Sequence, residues 1–209
     1  MTTNTADTAD IAARRERALA FRALHDPALI APNAWDPISA VAIQQAGASA
    51  IATTSYGIAA SRGVADGGGL NAAVALEALQ RIIGAVTLPV TADLERGYAS
   101  TLDGVVETVT AAIGLGIAGL NLEDSLAQAL VPVSEQVTLL GSVSQAVKES
   151  GVPVFLNART DTYLFRDPSA SDDDLLAETI DRGRAYVQAG ADGLFVPGIA
   201  DHAAIAAIC

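Results

Sequence analysis

The sequence predicts a parallel α/β fold, a (β/α)8 TIM-type barrel of which this chain carries about six βα units. Three observations predict it. Short apolar runs alternate six times with amphipathic helical patterns, and polar or charged residues gather where the runs end. The first run ends in Asn33-Ala34-Trp35-Asp36, without the glycine-rich phosphate turn that follows the first strand of open nucleotide-binding sheets. An open doubly wound sheet is the alternative. A barrel spreads functional groups over many strand ends, as this sequence does, and is favoured.

Ala12 to Leu24 reads as one helix ending before Asp26-Pro27, preceded by a small polar stretch, MTTNTADTAD, expected to be frayed. Strands are expected in LIAPNAW from Leu29, SAIATTS from Ser49, LPVTAD from Leu88, AGLNLED from Ala118, VPVFLNART from Val152 and DGLFVPG from Asp192. Each is followed by a turn and a stretch of 3.6-residue periodicity, such as AAVALEALQRII or SEQVTLLGSVSQAVKES. Gly47, Gly116, Gly151 and Gly190 fall just after periodic stretches, where a left-handed residue ends a helix. Residues 1–27 therefore form a tail and helix, and 28–209 a barrel domain incomplete at its C-terminus. Eight units of about 30 residues would need on the order of 240 beyond the first helix. The expectation is a truncated chain, with an open barrel or a partner-supplied remainder as alternatives.

Composition narrows the partners. A content of 51% hydrophobic residues suits strands covered on both faces, where apolar residues run on rather than alternate. A net charge of −12 opposes nucleic-acid or anionic-membrane binding, but one arginine can still dominate a small pocket. The single cysteine, Cys209, excludes an internal disulfide framework and points to a reducing cytoplasm. No run approaches ~18 uninterrupted apolar residues, so no membrane span is expected.

The strand ends supply the candidate chemistry: Asn33, Trp35 and Asp36; Thr53, Thr54, Ser55 and Tyr56; Asp93 and Glu95; Asn121, Glu123, Asp124 and Ser125; Asn157, Arg159 and Asp161. Helix capping accounts for Asp36, Asp124 and Ser125 individually. It does not account for an arginine in the same ring. His25 and His202 stand alone and read as solvated surface; Asp172-Asp173-Asp174 complements a helix N-terminus. Gly67-Gly68-Gly69 lacks the Lys and Ser/Thr of a phosphate loop and reads as a hinged lid.

The segments PNAWDPISAVAIQQAG, TTSYGIAASRGVADGGG, LPVTADLERGY, GLNLEDS, VFLNARTD and DGLFVPG, in this order and spacing, resemble the phosphoenolpyruvate mutase/isocitrate lyase superfamily, in its short bacterial form. The resemblance implies an eight-stranded barrel, homo-oligomers (dimer or tetramer) that exchange an eighth helix, and a Mg²⁺-dependent step on a small anionic 2-oxo acid or enol phosphate. It implies that Thr54, Ser55 and Tyr56 bind the substrate carboxylate and oxo group, with Trp35, Asn121 and Asn157 around them. Asp66, Asp93 and Glu123 would hold the metal, and Arg159 would grip the anionic group with Glu123 and Asp93 beside it in catalysis. Two departures stand out. Thr91 replaces the first acid of the family's Asp-x-Asp pair, and SLAQALVPVSEQV has neither the cysteine acid nor the basic residues of the lyases' mobile loop. The expected function is a lyase or phosphonomutase-like enzyme making or breaking a C–C or P–C bond. Oxaloacetate decarboxylation or hydrolysis at the same site, or non-catalytic binding of a small anion, are the alternatives.

Overall fold

The structure, a computed structural model, describes residues 5–26 and 28–209, with side chains from Asp10 onward. Helix α1 (Thr5–Ala23) begins inside the stretch expected to be frayed; residues 1–4 of that stretch lie outside the described residues. An Arg14–Asp10 ion pair one turn apart supports this first part of the helix. Its other end packs beneath the sheet. Phe21 is buried, and Arg22 donates to the Pro153 and Val154 carbonyls and pairs with Asp192 at 2.6 Å. His25 is not simply solvated surface: its ring stacks on Phe155 at 4.1 Å between centroids, because the helix end delivers it there.

Six strands form one parallel sheet: β1 (Asn33–Ala34), β2 (Ile51–Thr53), β3 (Val90–Asp93), β4 (Gly119–Glu123), β7 (Phe155–Arg159) and β8 (Gly193–Phe195). A hairpin, β5 (Ser125–Leu126) with β6 (Ala129–Leu130), follows β4. The helices between them are α2 (Pro37–Gln45), α3 (Ser55–Ser61), α4 (Ala72–Ala85), α5 (Leu102–Leu115), α6 (Val133–Ser150) and α7 (Asp172–Gln188), with α8 (His202–Ile208) last. Every strand pairs with the one before it in the series. There is no reversal of strand order, the feature that defines a doubly wound sheet, so the winding is that of a barrel. It is open: β1 and β8 are the two edges of the sheet.

Local chemistry fixes the element ends. Asp36 accepts from Ser39 N at 2.7 Å and caps α2 behind Pro37, while Ser171 and Asp174 form a reciprocal capping box on α7. Gly116 and Gly151 end α5 and α6 in the left-handed conformation.

The strands alternate rather than running on as apolar segments. Leu120, Leu122, Leu156 and Ala158 point to the helices and are at most 1% exposed, whereas Asn121, Glu123, Asn157 and Arg159 face the inside and are half-buried. The interior of this barrel is therefore a polar layer under the cleft, and its apolar core lies between sheet and helices.

Candidate active site

Strand register assembles the site in layers. Asp93 lies opposite Asn121, Asn121 opposite Asn157, and one rung higher Glu123 lies opposite Arg159. In the lower layer Asn157 Nδ2 donates to Asn121 Oδ1 at 3.0 Å. In the upper layer Arg159 Nη1 sits 3.2 Å from Glu123 Oε2, and its Nε is 2.6 Å from Asp161 Oδ1. The guanidinium also lies over the Phe195 ring at 5.8 Å. Three contacts from three elements hold one planar cation at the C-terminal ends of the strands.

Behind Arg159 stands a buried network. Asp161 Oδ2 accepts from Ser125 Oγ at 2.5 Å. Asp124, wholly buried, accepts from Asp161 N at 2.9 Å, Thr160 Oγ1 at 2.7 Å, Tyr186 OH at 2.7 Å and Arg182 Nη1 at 3.2 Å. Asp124 and Ser125 are thus not helix caps. The chain turns into the hairpin after them, and α6 starts at Pro132 with no side-chain cap.

The β3–α5 turn carries the second group of site residues. Glu95, Gly97 and Tyr98 adopt φ of 48°, 91° and 54°, a region that costs a Glu or Tyr energy. The turn is held by Gly97 N donating to Leu94 O at 2.7 Å and Glu123 N to Glu95 O at 3.0 Å. Glycine is required at 97 by close approach as well, since a Cβ would lie 2.5 Å from Val105 Cγ1. Asp93, just before the turn, accepts at Oδ2 from Ser55 N at 3.0 Å and Ser55 Oγ at 2.8 Å, which ties it to the start of α3.

A cleft of about 1260 Å³ opens above these layers, lined by the polar Tyr56, Asp66, Glu95, Glu123 and Arg159 and by the apolar Leu102, Val105, Leu139 and Phe165. Its charge is unbalanced towards acid. Burial, and then the negative charges of Asp66 and Asp93, push the Glu95 carboxyl up to about 7. Burial pushes Glu123 up to about 8; Arg159 opposes the shift, and Asp161, Asp93 and Glu95 add to it. Burial also works against the Arg159 charge, but its bond to Asp161 and the charge of Glu123 leave that group above its usual range. Two guanidinium groups, Arg159 and Arg96, line the cleft against more carboxylates than they can neutralise, and Arg96 is already paired with Glu135 at 2.6 Å.

The residues present fit a divalent cation. Glu95, a residue of the cleft wall, accepts from the Gly68 backbone but has one buried carboxylate oxygen, Oε1, without a hydrogen-bond partner. Among the described residues no three His, Cys, Asp or Glu side chains converge into a ready-made cage. A hard cation such as Mg²⁺ needs none, because it keeps several waters and takes one or two carboxylates directly.

Of the residues expected from sequence, Tyr56, Asp66, Glu123 and Arg159 share the wall of the cleft. Asp93, Asn121 and Asn157 lie in the layer beneath. Thr54 caps α3 by accepting from Gly57 N at 3.2 Å, and Ser55 spends its N–H and hydroxyl on Asp93. Trp35 is not brought to this wall; it lines a shallow groove with Asn33, Ile38 and Ala42, beside Gly57. Gly67 and Gly68 are at the cleft with φ of 72° and 117°, in an exposed loop. Tyr98 and Arg96 were not singled out from sequence, although the acid-and-aromatic motif ERGY right after a strand was a signal.

Comparison with known proteins agrees with this geometry. The family model described as phosphoenolpyruvate phosphomutase matches residues 21–209. A Mycobacterium tuberculosis protein of uncharacterised function is 36% identical over 181 residues, 86% of this chain and 65% of its own length. The chain therefore spans just under two thirds of that relative. Among solved structures, a candidate phosphonomutase from Burkholderia cenocepacia superposes with a TM-score of 0.87 at 43% identity, covering 92% of this chain and 79% of that one. A phosphonopyruvate hydrolase in complex with oxalate and Mg²⁺ gives a TM-score of 0.79 at 25% identity, covering 92% and 67%. Register, open-barrel winding and these matches lead to one conclusion: the chain belongs to the phosphoenolpyruvate mutase/isocitrate lyase superfamily, a superfamily of lyases and mutases.

Proposed function

We propose that this chain is the barrel of a Mg²⁺-assisted lyase or phosphonomutase-like enzyme that makes or breaks a C–C or P–C bond in a small 2-oxo acid or enol phosphate. The observation that carries this reading is Arg159, a guanidinium pinned by Asp161, Glu123 and Phe195 in a cleft whose lining has more acids than bases. A planar anion can dock on its free edge in a bidentate manner, and the acids around it leave room for one cation but repel a second anion. Asp66, Asp93 and Glu123 would hold Mg²⁺, whose charge would stabilise the enolate-like oxygen that develops as the bond breaks.

The chain's own residues do the rest. Arg159 orients the carboxylate or phosphoryl group, and the network through Asp161 and Asp124 keeps its fork from turning. Tyr56, which is 69% exposed at the start of α3, offers its hydroxyl to the oxo group. The Asn121–Asn157 pair floors the pocket with amide groups that exclude a deeper binding pose. The single cysteine supports a cytoplasmic enzyme, and the family resemblance supports a homo-oligomer.

A second reading, decarboxylation or hydrolysis of oxaloacetate or a related acid, is favoured by the hairpin at Ser125–Leu130, which places no cysteine where the lyases need their acid. A metabolite screen separates the readings. Loss of oxaloacetate, phosphonopyruvate and 2-methylisocitrate is followed in parallel with Mg²⁺ present. Turnover of phosphonopyruvate or a C–C cleavage substrate supports the first, turnover of oxaloacetate alone supports the second. No turnover combined with Mg²⁺-dependent oxalate binding would leave a binding protein.

A further inference from the structure

The cleft is larger than a short acid needs. Its volume is about 1260 Å³, and pockets of roughly 300–1,000 Å³ already hold ligands of drug size. A short-chain acid seated on Arg159 therefore fills only a small part of it. Much of the lining is apolar. Leu102 and Val105 come from the first turn of α5, Leu139 from the second turn of α6, and Leu126 from the hairpin that leads into α6. The two helices pack side by side, and Arg96 reaches from the turn before α5 to Glu135 and Gln136 in the first turn of α6, so these groups adjoin.

Single exposed leucines are ordinary on a protein surface. Here Leu102 and Leu126, 38% and 62% exposed, line one cleft together with the buried Val105 and Leu139. The hairpin holds Leu126 in place: Ala127 and Gln128, at φ of 49° and 63°, make a tight two-residue turn, and Leu126 pairs with Ala129. A further acid group on the substrate would find no free base on this wall. Arg96, the guanidinium that accompanies Arg159 there, is held by Gln136 at 2.7 Å and Glu135 at 2.6 Å. An uncharged, apolar group suits the leucines and adds no repulsion to a cleft already rich in carboxylates.

We infer that the substrate is a 2-oxo acid, or its enol form, carrying an apolar substituent beyond the reacting carbons, an alkyl chain or ring seated on Leu102, Val105, Leu126 and Leu139. The inference rests on the anion-binding role given to Arg159 above and extends it: Arg159 takes the head, and the turns of α5 and α6 with the hairpin take the tail. Each methylene buried there is worth up to about fourfold in affinity, which selects against short acids with the same head.

Calorimetric titration of the full chain with N-alkyl oxamates in Mg²⁺-containing buffer tests this without any assay of turnover. Oxamate supplies the flat carboxylate-and-carbonyl head, and its N-alkyl group is lengthened from methyl to hexyl. Wild type is expected to bind the hexyl compound at least about tenfold more tightly than the methyl compound. A chain carrying both Leu102→Ser and Leu126→Ser is expected to bind the methyl compound within about twofold of wild type and to lose at least about threefold of the gain from the tail. Both positions are exposed; thermal melting checks that the double variant folds, and the single variants are read in its place if it does not. Wild-type binding that is flat with chain length overturns the inference while leaving the role of Arg159 standing. A gain from the tail that is unchanged by the leucine substitutions overturns it too. Wild type that binds no oxamate of any length overturns the reading of Arg159, and the inference with it.

Discussion

Arg159 carries the proposed anion-binding role, and its value for that role lies in being fixed. Its Nε is committed to Asp161 at 2.6 Å and its Nη1 to Glu123 at 3.2 Å, so only the remaining edge of the fork is free for an anion. Lysine at this position keeps the charge but loses the fork and the aromatic contact with Phe195. Arg159→Lys is therefore expected to bind oxalate at least about tenfold more weakly than wild type in Mg²⁺-containing buffer, measured by calorimetry. Glu95 and Glu123 add a pH signature. Folded, they hold their protons up to about 7 and about 8; unfolded, they release them at the ordinary carboxylate range. Between those limits the folded chain binds more protons than the unfolded one, so stability is highest on the acid side and falls as pH rises through 7 and 8. Melting in chelator is expected to show a lower Tm at pH 8 than at about pH 5.5, and Glu123→Gln is expected to flatten that decline. An unchanged slope in the variant would remove Glu123 as its source.

At the scale of elements, the β3–α5 turn is the least ordinary piece of the fold. Gly97 has φ of 91° and no space for a Cβ beside Val105, so Gly97→Ala is expected to cost about 1–3 kcal/mol. A chain of this size would then melt roughly 2–10 °C lower. The strands and the long helices around this turn were legible in the sequence because their apolar periodicity is strong and their ends are marked by Asp36, Gly116 and Gly151. The hairpin at Ser125–Leu130 and the seven-residue helix α3 were not, because elements that short carry no periodic signal. Arg159 and Glu123 could be picked out as charges at strand ends, and the register then brought them together. Asp124 could not: an acid just after a strand reads as a cap until the structure shows that Arg182, Tyr186 and Thr160, brought from elsewhere in the chain, converge on it. The unpaired state of Glu95 Oε1 is likewise a property of packing, invisible in sequence.

For the molecule as a whole, the buried Asp124 links β4, the segment after β7 and helix α7, and thereby joins the support of Arg159 to the outer layer. Asp124→Ala would leave Arg182 with only the half-exposed Glu178 as counter-charge and would strip Tyr186, Thr160 and Asp161 N of their acceptor, and the expected loss is about 3–5 kcal/mol, read as a lower midpoint in urea unfolding. A loss below about 1 kcal/mol would mean the network is not needed for stability. Six strands wound in sequence order, with a net-acidic cleft and the pinned Arg159 at their C-terminal ends, form the frame of the proposed site. The most direct test of that account is calorimetric titration of oxalate into the full chain with and without Mg²⁺, alongside Arg159→Ala. The account predicts binding by wild type that requires Mg²⁺ and is lost in the variant; oxalate binding that ignores both Mg²⁺ and Arg159, or no binding by wild type at all, would contradict it.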